Sequence, residues 1–304
     1  MISPDKKTIL VTGADGQVGN EFRQLSSKFT AYQFLFTNRL ELPIENNDAV
    51  REFFTAYRVD CCINCAAYTA VDKAESEPDK AFRINGTAVG FLAAACKEHN
   101  ALFIHLSTDY VFDGRGSAPY TEEHPVNPVN LYGASKLKGE ELALQHYPQS
   151  IIIRTSWVYA STGNNFVKTM LRLMSDRPTL NVVNDQYGCP TFAGDLADAI
   201  MKMVTLLECS PASFTSLNLP AGIFHYSNSD VTTWYEFAVA IKELSGKQCM
   251  VNPIATSGFP TPAKRPAYSV MDTSKIRIAY NVTILPWKVS LAKCMSQLGV
   301  HPSS

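Results

Sequence analysis

The sequence predicts an α/β fold: a Rossmann-type doubly wound parallel sheet followed by a smaller C-terminal lobe. Three observations predict it. Short apolar runs alternate with helical patterns through the first half, which is the sequence form of βαβ units. A glycine-spaced turn joins the first apolar run to the first helical pattern. After residue 155 the alternation loosens into helical patterns separated by loops rich in Pro, Ser, Thr and Asn.

The elements follow in order. Residues 8–12 form the first strand, after which Val18, Phe22 and Leu25 fall at i, i+4 and i+7 on one face of the first helix. Further strands fit 33–37, 61–65, 102–107 and 151–155. Helices fit 48–57, 79–97 and 132–145, with Pro78 suited to the first turn of the second of these. In the second half, helical patterns cover 166–174, 196–207 and 233–244, and the stretch 209–216 reads as a surface loop.

The chain has 304 residues, 46% of them hydrophobic, and a formal net charge of −1. It can bury a full core and has no charge excess to attract a polyanion, so nucleic acid is an unfavoured partner. The N-terminal residues run straight into a strand and no stretch reaches the roughly 20 apolar residues that span a bilayer. The expectation is a soluble, cytoplasmic protein with no membrane partner. The eight cysteines are scattered through apolar segments. Cys62 and Cys65 form a C-x-x-C within a run that reads as a buried strand, with no second Cys/His pair at zinc spacing, so free thiols are expected.

The turn after the first strand reads Gly13-Ala14-Asp15-Gly16-Gln17-Val18-Gly19 and opens the first helix. Glycines there let backbone approach a pyrophosphate, and the N–H groups of the helix N-terminus supply the matching partial positive charge. Dinucleotide binding is the expectation, against a glycine-rich turn without ligand. An acidic residue at the end of the second strand would hold the ribose hydroxyls of NAD. Here the strand ends in Asn38-Arg39. Asn38 removes the charge that would repel a 2′-phosphate and Arg39 can pair with one, which makes NADPH the preferred cofactor and NADH the alternative. Arg39 as a solvated surface charge is the competing reading.

Tyr132-Gly133-Ala134-Ser135-Lys136 places a phenol and an ammonium one helical turn apart. A nearby Lys⁺ favours the phenolate and brings Tyr132 closer to working pH for general acid catalysis. Leu106-Ser107-Thr108-Asp109-Tyr110 puts hydroxyls at the C-terminal end of a parallel strand, where open α/β sheets bind ligands, so Thr108 is placed to bond a carbonyl oxygen. The joint occurrence of these features in this order points to catalysis.

With those motifs and the stretches 66–75, 107–112, 154–159 and 184–188, the chain resembles the extended short-chain dehydrogenase/reductases, and within them the dTDP-4-dehydrorhamnose reductases. The resemblance implies an NAD(P)-dependent oxidoreductase that reduces the C4 keto group of dTDP-4-dehydro-L-rhamnose to dTDP-L-rhamnose. It implies a triad of Thr108, Tyr132 and Lys136, with Tyr132 donating a proton to the C4 oxygen. Gly13, Gly16, Gln17 and Val18 would face the pyrophosphate; Ala67, Tyr68 and Thr69 would line the cofactor channel, and Lys136 would hold the nicotinamide ribose. Val71, Asn85, Thr108, Asp109, Tyr132, Trp157 and Arg265 form the implied substrate-binding set, with the Trp157 indole under the deoxysugar and Arg265 on the diphosphate. Plain core packing of Trp157 and a helix-bending role for Asn85 are the competing readings. Residues 1–155 would then be the dinucleotide-binding core, catalytic helix included, and 156–304 mainly the substrate-binding lobe with segments returning to the core. A homodimer is a family-level expectation, and no metal is expected. The chain departs from relatives that carry acidic residues where it has Asn38 and Pro43.

Two rivals remain at this point. A nucleotide-sugar epimerase or dehydratase shares the fold and recycles its cofactor. Tyr110 follows Asp109 where dehydratases place a glutamate, which argues against dehydration. A non-catalytic regulatory subunit, resembling the beta subunit of methionine adenosyltransferase, would have no need for the intact Thr108, Tyr132 and Lys136.

Overall fold

The computed structural model describes residues 6–208 and 221–300, so the reading of 209–216 lies outside the described residues. Its centre is a six-stranded sheet built from β1 (Lys7–Thr12), β2 (Tyr32–Thr37), β3 (Cys61–Asn64), β4 (Leu102–Thr108), β5 (Ile151–Thr155) and a sixth strand, Gly222–Tyr226. Starting from the sixth strand, the order is then β5, β4, β3, β1 and β2, with every pairing parallel. Parallel strands buried on both faces read as near-continuous apolar runs, and these do.

Alternation along the strands divides the core between the two faces. Ile9, Val11, Ile63, Ile104 and Ile153 pack with Val18 and Phe22 of α1 (Gln17–Leu25) and with Leu196, Ile200 and Val204 of the Ala193–Glu208 helix. Leu10, Cys62, Phe103 and Ile152 face Val50 and Phe54 of the Asn47–Ala56 helix and Val89, Leu92 and Ala93 of the Ala88–Glu98 helix. A separate core gathers Phe166–Asp176, Trp234–Ser245 and Trp287–Gln297 around Phe237, Trp287 and Leu291. The sixth strand and the Ala193–Glu208 helix both lie beyond residue 155 in the chain, yet both join the first sheet.

Three features differ from the sequence reading. The sixth strand was not expected as a strand; Gly222–Tyr226 is only five residues long and takes its place by pairing with β5. The helix expected over 79–97 is interrupted: Pro78–Phe82 and Ala88–Glu98 flank a π-helical turn, Arg83–Thr87. The apolar pattern continues across it, so the interruption reflects tertiary contacts made by Asn85 rather than local periodicity. The helix Trp287–Gln297 and the parallel pair Thr179–Val183 with Met250–Ile254 complete the second core. Among the described residues no helix is long and apolar enough to cross a membrane.

Candidate active site

The strand order changes direction at β1, whose neighbours are β2 and β3, and the crevice at such a switch point is where open α/β sheets bind ligands. Gly13 stands there with φ +63°, and a Cβ on it would lie 2.6 Å from the Ala66 backbone at the end of β3. A Cβ on Gly19 would lie 2.5 Å from Ala14 Cα, so the third glycine lets α1 pack onto the turn. The N-cap of α1, Gly16, provides no side-chain cap, which leaves first-turn N–H groups for an anion. In front of them lies a cleft of about 830 Å³.

Gly13, Gly16, Gln17, Val18, Asn38, Arg39, Ala67, Tyr68, Thr69, Tyr132 and Lys136 all line this cleft. The turn, the bare helix N-terminus and the volume of the cleft suit a dinucleotide. Arg39 in the cleft wall pairs with Glu45 at 2.6 Å while remaining largely exposed. The Asn38 side chain accepts from Leu40 N and Glu41 N, and Glu41 accepts from Asn38 N, so both groups shape the turn. Leu40, Leu42 and Ile44 supply an apolar wall beside them.

Tyr132 and Lys136 project from the Leu131–His146 helix, started by Asn130, whose side chain accepts from Gly133 N at 2.8 Å. Thr108 ends β4 and bonds Asp109 Oδ1 at 3.0 Å. Burial pushes the Tyr132 phenol up to about 12; a hydrogen bond with Thr108 pulls it down and the Asp109 charge pushes it up. This differs from the expectation that Lys136 acts on the phenol. The Lys136 Nζ instead donates to the Leu106 carbonyl at 2.6 Å and lies 3.2 Å from His105 Nε2. Burial brings its amine down to about 8, opposed chiefly by the negative charge of Glu140. Asp109 is buried and held up to about 7 by desolvation, against hydrogen bonds from Thr108 and Ser269 that lower it.

The implied substrate set is dispersed more widely. Val71 opens the short helix Val71–Ala74, and beside it Asp72 bonds Arg265 Nη2 at 2.9 Å and Ala263 N at 3.1 Å. Arg265, read as a partner for the diphosphate, is thus paired with a carboxylate in this structure. Trp157 has φ +47° and stacks on Trp234 with centroids 3.6 Å apart, so one indole face is covered by a residue the sequence did not single out. The reading of Asn85 is corrected. It is fully buried, accepts from Tyr68 N, and donates to Tyr68 O and Ser135 Oγ, so it fixes a cleft-lining residue without reaching a ligand itself.

Sequence reasoning missed the polar layer beneath Lys136. Arg154 makes three hydrogen bonds to Glu140, with both side chains 2% exposed, and Ser107 Oγ also donates to Glu140. Glu140 lies one turn beyond Lys136, a spacing that could have shown it. His105 reads as one residue in an apolar strand and carries no comparable signal.

The chain matches the family described as RmlD substrate binding domain over residues 7–300. It is 40% identical over 289 residues to a dTDP-4-dehydrorhamnose reductase of Aggregatibacter actinomycetemcomitans, covering 93% of this chain and 96% of that protein. The crystal structure of a dTDP-4-dehydrorhamnose reductase from Clostridium acetobutylicum superposes with a TM-score of 0.89 at 39% identity, covering 96% of this chain and 100% of the other. That of Bacillus anthracis dTDP-4-dehydrorhamnose reductase, in complex with NADP, gives 0.87 at 36% identity, covering 96% and 99%. By the family match over residues 7–300 and these identities over nearly the whole of both chains, the chain belongs to the dTDP-4-dehydrorhamnose reductase family.

Proposed function

We propose that this protein reduces the C4 keto group of dTDP-4-dehydro-L-rhamnose to give dTDP-L-rhamnose, with NADPH as donor. The observation that carries the reading is that Tyr132 and Lys136, one helical turn apart, both line the cleft that begins at Gly13 and α1, with Thr108 of β4 acting on the Tyr132 phenol. Its relatives of that name supply the substrate, and the B. anthracis relative, with NADP, the cofactor.

When bound, NADPH supplies the hydride that reduces C4. Tyr132 delivers the proton to the C4 oxygen: burial raises its pKa and keeps the phenol protonated at neutral pH, the form a reduction requires. Thr108 orients the phenol and bonds the same oxygen. Gly16, Gln17 and Val18 hold the pyrophosphate, Ala67, Tyr68 and Thr69 line the channel, Asn38 and Arg39 meet the 2′-phosphate, and Lys136 holds the nicotinamide ribose. Val71, Asp109 and Trp157 face the sugar nucleotide, and residues 156–304 mainly supply its lobe. A cytoplasmic setting and a homodimer belong to the same reading, and the mass of the purified protein in solution checks the second.

The test is stoichiometry. With enzymatically generated dTDP-4-dehydro-L-rhamnose, the purified protein should oxidise one equivalent of NADPH per sugar reduced. Interconversion of sugars without net NADPH loss would make it an epimerase, and no turnover with NADPH bound would move it to the regulatory class.

A further inference from the structure

His105 lies in β4 directly behind the catalytic cleft and is completely buried. Its two ring nitrogens each face one group: Nδ1 is 3.0 Å from Asn64 Nδ2, and Nε2 is 3.2 Å from Lys136 Nζ. Which nitrogen carries the proton follows from the groups around Asn64. The Asn64 Oδ1 accepts from Thr12 Oγ1 at 2.6 Å and from Ala66 N at 3.2 Å. A backbone N–H can only donate, so Ala66 fixes the amide with its oxygen toward β1 and its N–H₂ toward His105. His105 Nδ1 therefore accepts. The ring is neutral, since burial holds it well below its ordinary range. A neutral imidazole accepting at Nδ1 bears its proton on Nε2, and that N–H points at Lys136. An ammonium has three donors and no acceptor. The contact is satisfied only if Lys136 offers a lone pair.

We propose that His105 is a positioning residue that presents its Nε2–H to Lys136 and thereby favours the uncharged amine over the ammonium in the cofactor-free protein. The Lys136 N–H bond to the Leu106 carbonyl is compatible with either charge state and keeps the chain in place. The other groups facing Lys136 are Cys65 at the end of β3 and, on its own helix, Tyr132 and Glu140; Glu140 is committed to Arg154 of β5 and Ser107 of β4. None of them donates a hydrogen bond to Nζ in place of His105. The charged form of Lys136 needs the opposite arrangement, with the proton on His105 Nδ1 and the Asn64 amide turned over, at the expense of the Ala66 N–H bond. Because Ala66 packs on Gly13 and Asn64 bonds Thr12, the charge of the catalytic lysine is tied to the turn that holds the pyrophosphate.

The inference rests on the proposed role of Lys136, but its test does not need turnover. In the cofactor-free full-length protein, ¹⁵N chemical shifts of His105 should report the Nε2–H tautomer; the Nδ1–H tautomer would overturn the proposal. Asn64→Asp is nearly isosteric and can only accept from His105, which puts the proton on Nδ1 and opens Nε2 to an ammonium. With ¹³C-labelled lysine, the Lys136 signal, assigned by its loss in Lys136→Arg, should titrate about one pH unit or more higher in Asn64→Asp. The alkaline limb of kcat/KM for NADPH should move the same way. An unmoved Lys136 midpoint in folded Asn64→Asp would contradict the proposal, and if that variant does not fold, the wild-type tautomer decides alone.

Discussion

Gly13 and Ala66 meet so closely that no side chain fits between them: a Cβ on Gly13 would sit 2.6 Å from both N and Cα of Ala66. The contact joins the turn after β1 to the end of β3 and sets the floor of the cleft. Gly13 also has φ +63°, where an L side chain costs about 1–2 kcal/mol before any clash. Gly13→Ala should therefore weaken NADPH binding by about tenfold or more, as measured by fluorescence titration. An unchanged Kd would show that the turn does not shape the cofactor site.

Tyr132→Phe keeps the ring and removes the proton donor. Turnover should fall by about 10²–10⁴-fold with NADPH affinity nearly intact. The T-shaped contact of Tyr132 with Tyr110, 5.5 Å between centroids, uses only the rings and survives the change. Retained kcat would remove Tyr132 from its assigned role.

Arg39 pairs with Glu45 in the free protein, and both line the cleft. The pair is exposed on the Arg side, so it holds the guanidinium only weakly and leaves it able to turn to a 2′-phosphate. Arg39→Ala should raise KM for NADPH by about tenfold and leave that for NADH within about twofold. Equal effects on the two cofactors would mean that Arg39 is only a surface charge.

The parts of this architecture carried by local pattern were legible in the sequence. The first five strands fall within a residue or so of their predicted bounds because each is a short apolar run closed by a turn, and the Gly13–Gly19 turn declares itself by spacing. What was not legible depends on partners distant in the chain. Arg265 pairs with Asp72 across 193 positions, and Trp157 stacks on Trp234. Asn85 turns inward to hold the backbone of Tyr68, which widens one helical turn without leaving a mark on its apolar periodicity. The expected effect of Lys136 on Tyr132 followed from sequence spacing alone, whereas in space Leu106 and His105 take its amine.

Asp109 gives the account a pH signature. Its carboxyl is held up to about 7 from an ordinary 3.8, chiefly by burial. A group whose folded value is raised stabilises fully below its unfolded value, and the contribution is lost as pH rises toward the folded value. The wild type should therefore lose stability relative to Asp109→Asn between about pH 4 and 7, with the difference in Tm levelling off above. Parallel Tm curves for the two proteins across that range would mean that Asp109 is ionised in the fold.

The central claim is that a hydride reaches C4 of the sugar from NADPH held in the Gly13–Lys136 cleft. It is tested most directly by supplying NADPH deuterated at the transferable position with dTDP-4-dehydro-L-rhamnose and locating the label in the product by NMR. The account predicts deuterium at C4 of dTDP-L-rhamnose, in amount equal to the NADPH oxidised. Product without label at C4, or label at another carbon, would contradict it.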